Sequence, residues 1–283
     1  MARLIVVTHQ YDRFATRSLK WPVLRSHYLL FGILREFERL GHSWRVAVGP
    51  KPIAGDVALL HTDCTIVDPA YLALRSQYPR TINFGADDIS KHKVSKIRLL
   101  RDDEWAGPVI VKANLNAQGS MEARHNVRAS IAGRAAPHAA TKPPEPYRVL
   151  DRLADVDARV WTDPNLIVER FLPEPDADGG YALRSWIFMG SHERCNRYVS
   201  PDRIVKAAQF RSHAPVEVPI ELRAERERLG FDYGKFDFVV HDGKPILLDA
   251  NRTPSTALTI MALIKAGARN LADGLDKLVR GAT

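Results

Sequence analysis

The stretch Lys235-Phe236-Asp237-Phe238-Val239-Val240-His241-Asp242-Gly243-Lys244-Pro245-Ile246-Leu247-Leu248-Asp249-Ala250-Asn251 sets two carboxylates and an amide inside otherwise apolar strand sequence. Such groups are costly to bury without partners, and a divalent cation would supply one. Side chains alternate along a strand, so Asp249 and Asn251 share a face. Whether Asp237 joins them turns on the connection between the two strands. A two-residue Asp242-Gly243 loop pairs Asp237 with Leu248 and points it away from Asp249. A three-residue Asp242-Gly243-Lys244 loop sets it opposite Asp249. Only the second register builds a metal site. All three donors are hard oxygens, which favours Mg²⁺ over zinc or copper, and Mg²⁺ completes its shell with water and substrate phosphates.

Cationic side chains stand at other strand positions. Pro108-Val109-Ile110-Val111-Lys112 reads as a strand ending in a lysine, followed by a small-residue loop from Ala113 to Ser120. Tyr181 to Met189 alternates as a strand and carries Arg184, which cannot shed its charge and needs an anionic partner. The chain holds 41 Lys+Arg against 33 Asp+Glu, a net charge of +8, and the excess falls within the first 160 residues. Arg3, Arg13, Arg17, Lys20, Arg25, Arg35 and Arg39 are scattered singly, with no basic run and no aromatic platform for single strands. A solvated face or a small anionic ligand accounts for them better than nucleic acid.

The elements that must position these groups follow from periodicity. At 283 residues, 45% hydrophobic and 26% charged, the composition is that of a globular chain of two lobes or one large domain. The absence of a long apolar run and of a secretory leader, with Cys64 and Cys195 far apart, points to a reducing cytoplasm with no membrane, disulfide framework or structural zinc. Strands at 3–7, 44–48, 57–60 and 81–84 alternate with helices at 23–40 and 69–77, which gives a small α/β unit with a parallel sheet. Its ligand edge is the loops after the strands, placing His9, Gln10, Tyr11 and residues 13–20 at a crevice. No glycine fingerprint follows the first strand, so dinucleotide binding is not supported. Further along, 86–100 reads as polar and then helical, and 135–146 as a Pro/Ala-rich surface excursion. Residues 166–173 form a strand breaking into a loop, 219–229 a charged helix, 232–251 a hairpin, and 256–278 one or two helices broken near Gly267.

In this order, Val111-Lys112, Val168-Glu169-Arg170-Phe171-Leu172, Asp237 and Leu248-Asp249-Ala250-Asn251-Arg252-Thr253-Pro254 resemble the ATP-grasp superfamily. The likeness is to its carboxylate-amine ligase branch, which includes glutathione synthetase, D-alanine-D-alanine ligase and the ribosomal-protein glutamate ligase. It covers roughly residues 81 to 260. The resemblance implies an α/β (α+β) ATP-grasp fold with a small Rossmann-like domain before it. The expected division is residues 1–85 for that domain, 86–168 for the small lobe and 169–283 for the C-terminal lobe with the metal site.

The resemblance also implies roles. Lys112 contacts the α-phosphate and adenine side of ATP, and Lys93 is the second nucleotide lysine, with Lys91 and Lys96 as alternatives. Gly119 and Ser120 belong to the phosphate-covering loop, which here has only one glycine. Glu169 opens the inter-lobe hinge, the backbone at Arg170 and Leu172 reads the adenine edge, and Glu174 or Asp176 reaches the ribose. Arg184 meets the transferred phosphate and acyl group, with Arg211 and Lys206 in a second basic cluster. Asp237, Asp249 and Asn251 hold Mg²⁺, position 249 being more often Glu in the family. The segment between residues 91 and 112 is short, so the small lobe is expected to lack a strand.

The implied reaction joins a small carboxylate, activated by ATP as an acylphosphate, to an amine, releasing ADP and phosphate. The amine partner is an amino acid, peptide or metabolite. Nucleic-acid and membrane partners are not expected, and a homodimer is left open. His9 with Arg13 or Arg17 is the expected holder of the acid. The competing readings are a small-molecule kinase of the same fold and, of a different class, a nucleotide-binding protein without turnover.

Overall fold

The computed structural model describes residues 1–15, 28–141, 145–205, 210–255 and 261–281. The first sheet holds β1 (Arg3–Thr8), β2 (Ser43–Val48), β3 (Val57–Leu60) and β4 (Arg80–Ile82), in the order β2-β1-β3-β4 and parallel throughout. Its strands read as continuous apolar runs because both faces are covered. One face packs Leu4, Val6 and Leu59 against α1 (Leu29–Arg39) and the C-terminal helix. The other packs Ile5, Val7, Ala58 and Leu60 against Tyr71 and Leu74.

A second, antiparallel sheet is built from β5 (Arg98–Leu99), β6 (Val109–Ala113), β7 (Arg148–Leu150) and β8 (Leu166–Arg170), ordered β5-β8-β6-β7. A single helical turn, α2 (Lys91–Val94), precedes it, and α3 (Ser120–Ile131) follows β6. Residues 86–100 are thus mainly irregular around that one turn, and the short segment before Lys112 does hold a strand, β5, paired to β8.

The third sheet is antiparallel and six-stranded: β9 (Glu174–Pro175), β10 (Tyr181–Met189), β11 (His192–Ser200), β12 (Ser212–Pro215), β13 (Tyr233–His241) and β14 (Lys244–Asn251), with α4 (Ile220–Arg228) against it. Trp186, Phe188, Phe236, Phe238, Leu247 and Ala250 fill one face together with Leu222, Leu229 and Phe231. The last helix, α5 (Met261–Arg280), runs unbroken through Gly267. That glycine is a packing residue: a Cβ there would lie 3.0 Å from the Arg194 guanidinium. No described helix is long and apolar enough to cross a membrane. Both cysteines are free and buried, and burial pushes each thiol up to about 12.

Two buried polar residues tie the first sheet to the third. Asn83, fully buried with φ of 65°, receives the amides of Asp232 and Tyr233 at 2.8 and 2.7 Å. It also donates from Nδ2 to the Tyr233 carbonyl at 2.7 Å and from its own amide to Asp232 Oδ2 at 2.6 Å. Asparagine is one of the few non-glycine residues that tolerate this backbone region. Arg252, also fully buried, donates to the carbonyls of Thr62, Cys64 and Ala86. Replacing Asn83→Ala removes the three side-chain bonds of this bridge and leaves buried backbone groups of Asp232 and Tyr233 unpaired. It should cost about 3 kcal/mol in urea unfolding.

Candidate active site

A cleft of about 590 Å³ lies where the second and third sheets meet the first. Alternation on β6 and β8 supplies one wall. Val109, Val111 and Val168 turn into the small-lobe core, while Ile110, Lys112 and Glu169 turn the other way and line the cleft. Ile110 stands opposite Glu169 in the register, so Lys112, two residues on, meets Glu169 diagonally at 2.8 Å. Both side chains are buried, and Glu169 Oε1 has no hydrogen-bond partner among the described residues.

The facing wall is the β13–β14 hairpin, and its register reconciles the two alternatives of the sequence. The turn is the two-residue one: His241 pairs with Lys244, and Asp242 and Gly243 have φ of 50° and 73°. A bulge then follows. Phe238 pairs with Leu247 but Asp237 pairs with Asp249, so Leu248 is the extra residue. Asp237 therefore stands directly opposite Asp249, the arrangement that the three-residue loop was expected to give. Leu248, Asp249 and Asn251 all line the cleft with Asp237.

Lysines surround these acids. Lys91, 4% exposed, forms an ion pair with Asp249, and Lys235 meets Asp237 at 2.7 Å. Ser185 Oγ donates to Asp237 at 2.7 Å, and Asn251 Oδ1 accepts the Thr253 amide at 2.8 Å. Burial pushes the Asp249 carboxyl up, but Lys91, with Lys235 and Lys112, outweighs it and holds Asp249 below the ordinary carboxylate range. Burial likewise disfavours the charged amines of Lys91 and Lys235, and their acid partners raise both above the usual value.

The cleft has two ends of different character. Phe171, Leu172, Pro173, Ile204, Val205 and Val239 make one end mostly apolar, beside the backbone at Arg170, with the Arg203 guanidinium over the Phe171 ring at 4.9 Å. At the other, Arg13, Arg124 and Asp63 line it together with Tyr28 and Thr253. Asp63 accepts from Tyr28 at 2.6 Å and from Thr253 Oγ1 at 2.8 Å. Burial first, then the neighbouring Asp12, pushes its carboxyl above the ordinary range.

Of the residues singled out in the sequence, Lys112, Glu169, Arg170, Leu172, Asp237, Asp249 and Asn251 come together on this cleft. Lys93 does not: it is exposed on the single turn of α2, and Lys91 lines the cleft instead. Arg184 also departs from expectation. It pairs with Phe238 across β10 and β13, whereas its neighbour Ser185 faces Asp237. Alternation thus turns Arg184 from the acids, and its anionic partner is Glu174 at 2.6 Å.

Glu174 is itself committed, accepting from Arg197 and from the Val240 amide as well, and Asp176 takes Arg197 at 2.7 Å. Arg211 is exposed, with its amide on the Val199 carbonyl. Gly119 and Ser120 are not in the lining, which takes Asn116, Ala117 and Met121 from the same region. Ala117, Gln118 and Gly119 are consecutive left-handed residues, so backbone that glycines usually supply is made here mostly without them. Arg13 lines the cleft, His9 is buried outside its lining, and Arg17, Lys20 and Lys206 lie outside the described residues. Lys235 was missed, although its place two residues before Asp237 puts it on the same strand face.

No family model and no curated protein matches the sequence. Solved structures do. D-alanine-D-alanine ligase from Bacillus anthracis, complexed with ATP, is 15% identical with a TM-score of 0.52, covering 100% of this chain and 99% of that one. The ATP-grasp ligase PsnB, complexed with a phosphomimetic variant of its minimal precursor, Mg and ADP, is 13% identical with a TM-score of 0.53, at 97% and 98% coverage. The macrocyclase MdnC from Microcystis aeruginosa, bound with the precursor peptide MdnA, is 11% identical with a TM-score of 0.50, at 97% and 99% coverage. The chain has the ATP-grasp fold.

The Lys112–Glu169 pair makes a direct prediction. Lys112→Met leaves a buried carboxylate without its cation and should cost about 3–5 kcal/mol of stability. The double variant Lys112→Met/Glu169→Met should regain most of that loss in the same urea titration, as removing both charges ends the imbalance.

Proposed function

We propose that the protein is an ATP-dependent carboxylate-amine ligase. The observation that carries this reading is the pair Asp237 and Asp249, set face to face by the hairpin bulge at one cleft of an ATP-grasp fold, with Lys91 and Lys112 in the cleft lining and Lys235 paired to Asp237. Two carboxylates and an amide are the hard-oxygen set that suits Mg²⁺. Asp237, Asp249 and Asn251 would hold the ion, which when bound neutralises phosphate charge. The apolar end beside Phe171, Leu172 and Val239 suits an adenine ring, with the backbone at 170–172 against its polar edge.

Acyl activation requires a carboxylate and a triphosphate, which repel one another, to be held in line. Here the field is supplied by side chains whose positions are already fixed. Lys91 and Lys112 stand on the phosphate side, and Lys235, on the strand beside Asp237, takes the place expected of Arg184. Arg13 and Arg124 offer the acid its counter-charge at the far end, while Asp63 offers the amine an acceptor. The carboxylate oxygen attacks the γ-phosphorus, ADP leaves, and the amine nitrogen then attacks the acyl carbon and expels phosphate. No side-chain nucleophile is needed.

The test is ADP release with Mg²⁺ across a panel of amino acids and small carboxylates, with Asp249→Asn as the blank. A ligase forms ADP only when acid and amine are both present. ADP formed without an amine, with a stable phosphorylated product, identifies a kinase, and nucleotide binding with no ADP across the panel rejects turnover. Once the substrates are in hand, the two neighbouring lysines separate. Lys91→Met should lower kcat/KM for ATP by about 10²-fold or more, whereas Lys93→Met should stay within about twofold.

A further inference from the structure

Behind the polar end of the cleft, three histidines from separate stretches of chain converge. His9 follows β1, His125 lies on α3, and His138 lies in the segment after that helix. One ring nitrogen from each falls within 4.8 Å of the others. His125 Nδ1 and His138 Nε2 are 3.0 Å apart, and the His9 ring stacks on His125 with centroids separated by 4.1 Å. We propose that His9, His125 and His138 form a binding site for a borderline divalent transition metal of the Zn²⁺ or Co²⁺ kind, distinct from the hard-oxygen site of the cleft.

The surrounding bonds decide which nitrogen His125 and His9 present and hold the backbone of His138 beside them. His125 Nε2 meets Asp12 Oδ1 at 2.7 Å, which leaves Nδ1 turned toward the other two rings. A carboxylate behind a metal-bound histidine is the usual means of fixing its tautomer and raising its basicity. Asp12 is held in turn by Thr8 Oγ1 at 2.7 Å and by the amides of His9 and Asp63 at 2.9 and 3.1 Å. His9 Nδ1 accepts the Tyr11 amide at 3.2 Å, so Nε2 is its outward ligand atom. Asn126, next to His125, clamps the backbone of His138 through Oδ1 at 3.0 Å and Nδ2 at 3.1 Å, returning the third histidine to the helix that bears the second.

Metal–nitrogen bonds of about 2.0–2.1 Å place tetrahedral ligand atoms about 3.3 Å apart. Two of the ligand atoms, on His125 and His138, are already 3.0 Å apart, and His9, whose ring lies nearly parallel to that of His125 at 11°, would turn about its side-chain torsions to aim Nε2 at the same ion. His138 is only half-buried, which gives an entry path and room for a water as fourth ligand. Imidazole donors select zinc, cobalt, nickel or copper over magnesium. Such an ion would clip the first sheet to α3. Because Asp12 also holds the Asp63 amide, it would fix the cleft wall where Asp63 stands.

The full-length protein, stripped with chelator, is titrated with Co²⁺ in saturating Mg²⁺ while the visible absorption of tetrahedral cobalt is followed. One Co²⁺ should bind per chain, be displaced by Zn²⁺ and raise the unfolding midpoint. His138→Gln, at the half-buried position, should weaken binding more than about tenfold while its circular dichroism stays that of the parent. His9→Gln should do the same. Absence of saturable binding, displacement by Mg²⁺, or unchanged affinity in His138→Gln would overturn the site and leave the three rings as a hydrogen-bonded relay to Asp12.

Discussion

The β-bulge at Leu248 is the constraint on which the cleft depends. A regular ladder continued from the Asp242-Gly243 turn would set Asp249 against Phe236, inside the aromatic core of the third sheet. A lone carboxylate there would have to be neutral or absent. By taking up one extra residue, β14 offers Ala250 to Phe236 and turns Asp249 and Asn251 to the opposite side. The same shift brings Asp249 within reach of Lys91 and puts Asn251 opposite Lys235. One residue of slippage thus decides whether the acids and lysines of two lobes meet at all.

Charge is arranged in and beside the cleft as close pairs. Lys91 with Asp249, Lys112 with Glu169 and Lys235 with Asp237 each join a cation and an acid that could not be buried separately. Pairs of this kind contribute little net stability, since desolvation offsets most of the attraction. Their value lies in fixed position: each charge is already desolvated and oriented before a ligand arrives, so little reorganisation is left for binding. The arginines at the polar end differ in kind. Arg13 and Arg124 line the cleft and, among the described residues, neither is locked into an acid pair, which suits them to meet a ligand's charge.

Much of this was legible in the sequence where one element decided the outcome. The parallel strands, the β13–β14 hairpin and the cleft-facing Lys112 follow from apolar runs and period-two alternation. What escaped depends on pairing between elements. The facing of Arg184 is set by its strand's register on β13, which alternation within β10 cannot supply. Choosing between Lys91 and Lys93 requires the orientation of a single helical turn, too short to show a periodic face. Strand β11 hides because its polar residues, among them Glu193 and Arg197, find partners on neighbouring elements and do not alternate with apolar ones. Lys235 was legible by alternation alone, two residues from Asp237.

The end of the hairpin couples lobe docking to the chemistry of the cleft. Within four residues, Asp249 and Asn251 face the cleft, Ala250 enters the aromatic core, and Arg252 is buried against three carbonyls from 62 to 86. A fully buried guanidinium tolerates little displacement, because every lost carbonyl leaves a buried charge under-solvated. Thr253 then spans from Asn251 to Asp63, and Asp63 in turn bonds Tyr28 and Asp12. The carboxylates and the polar end of the cleft are therefore held by one continuous run of hydrogen bonds from the first sheet to the third. A shift of the first sheet would be felt at Asp249 through Arg252 before any substrate contact changed.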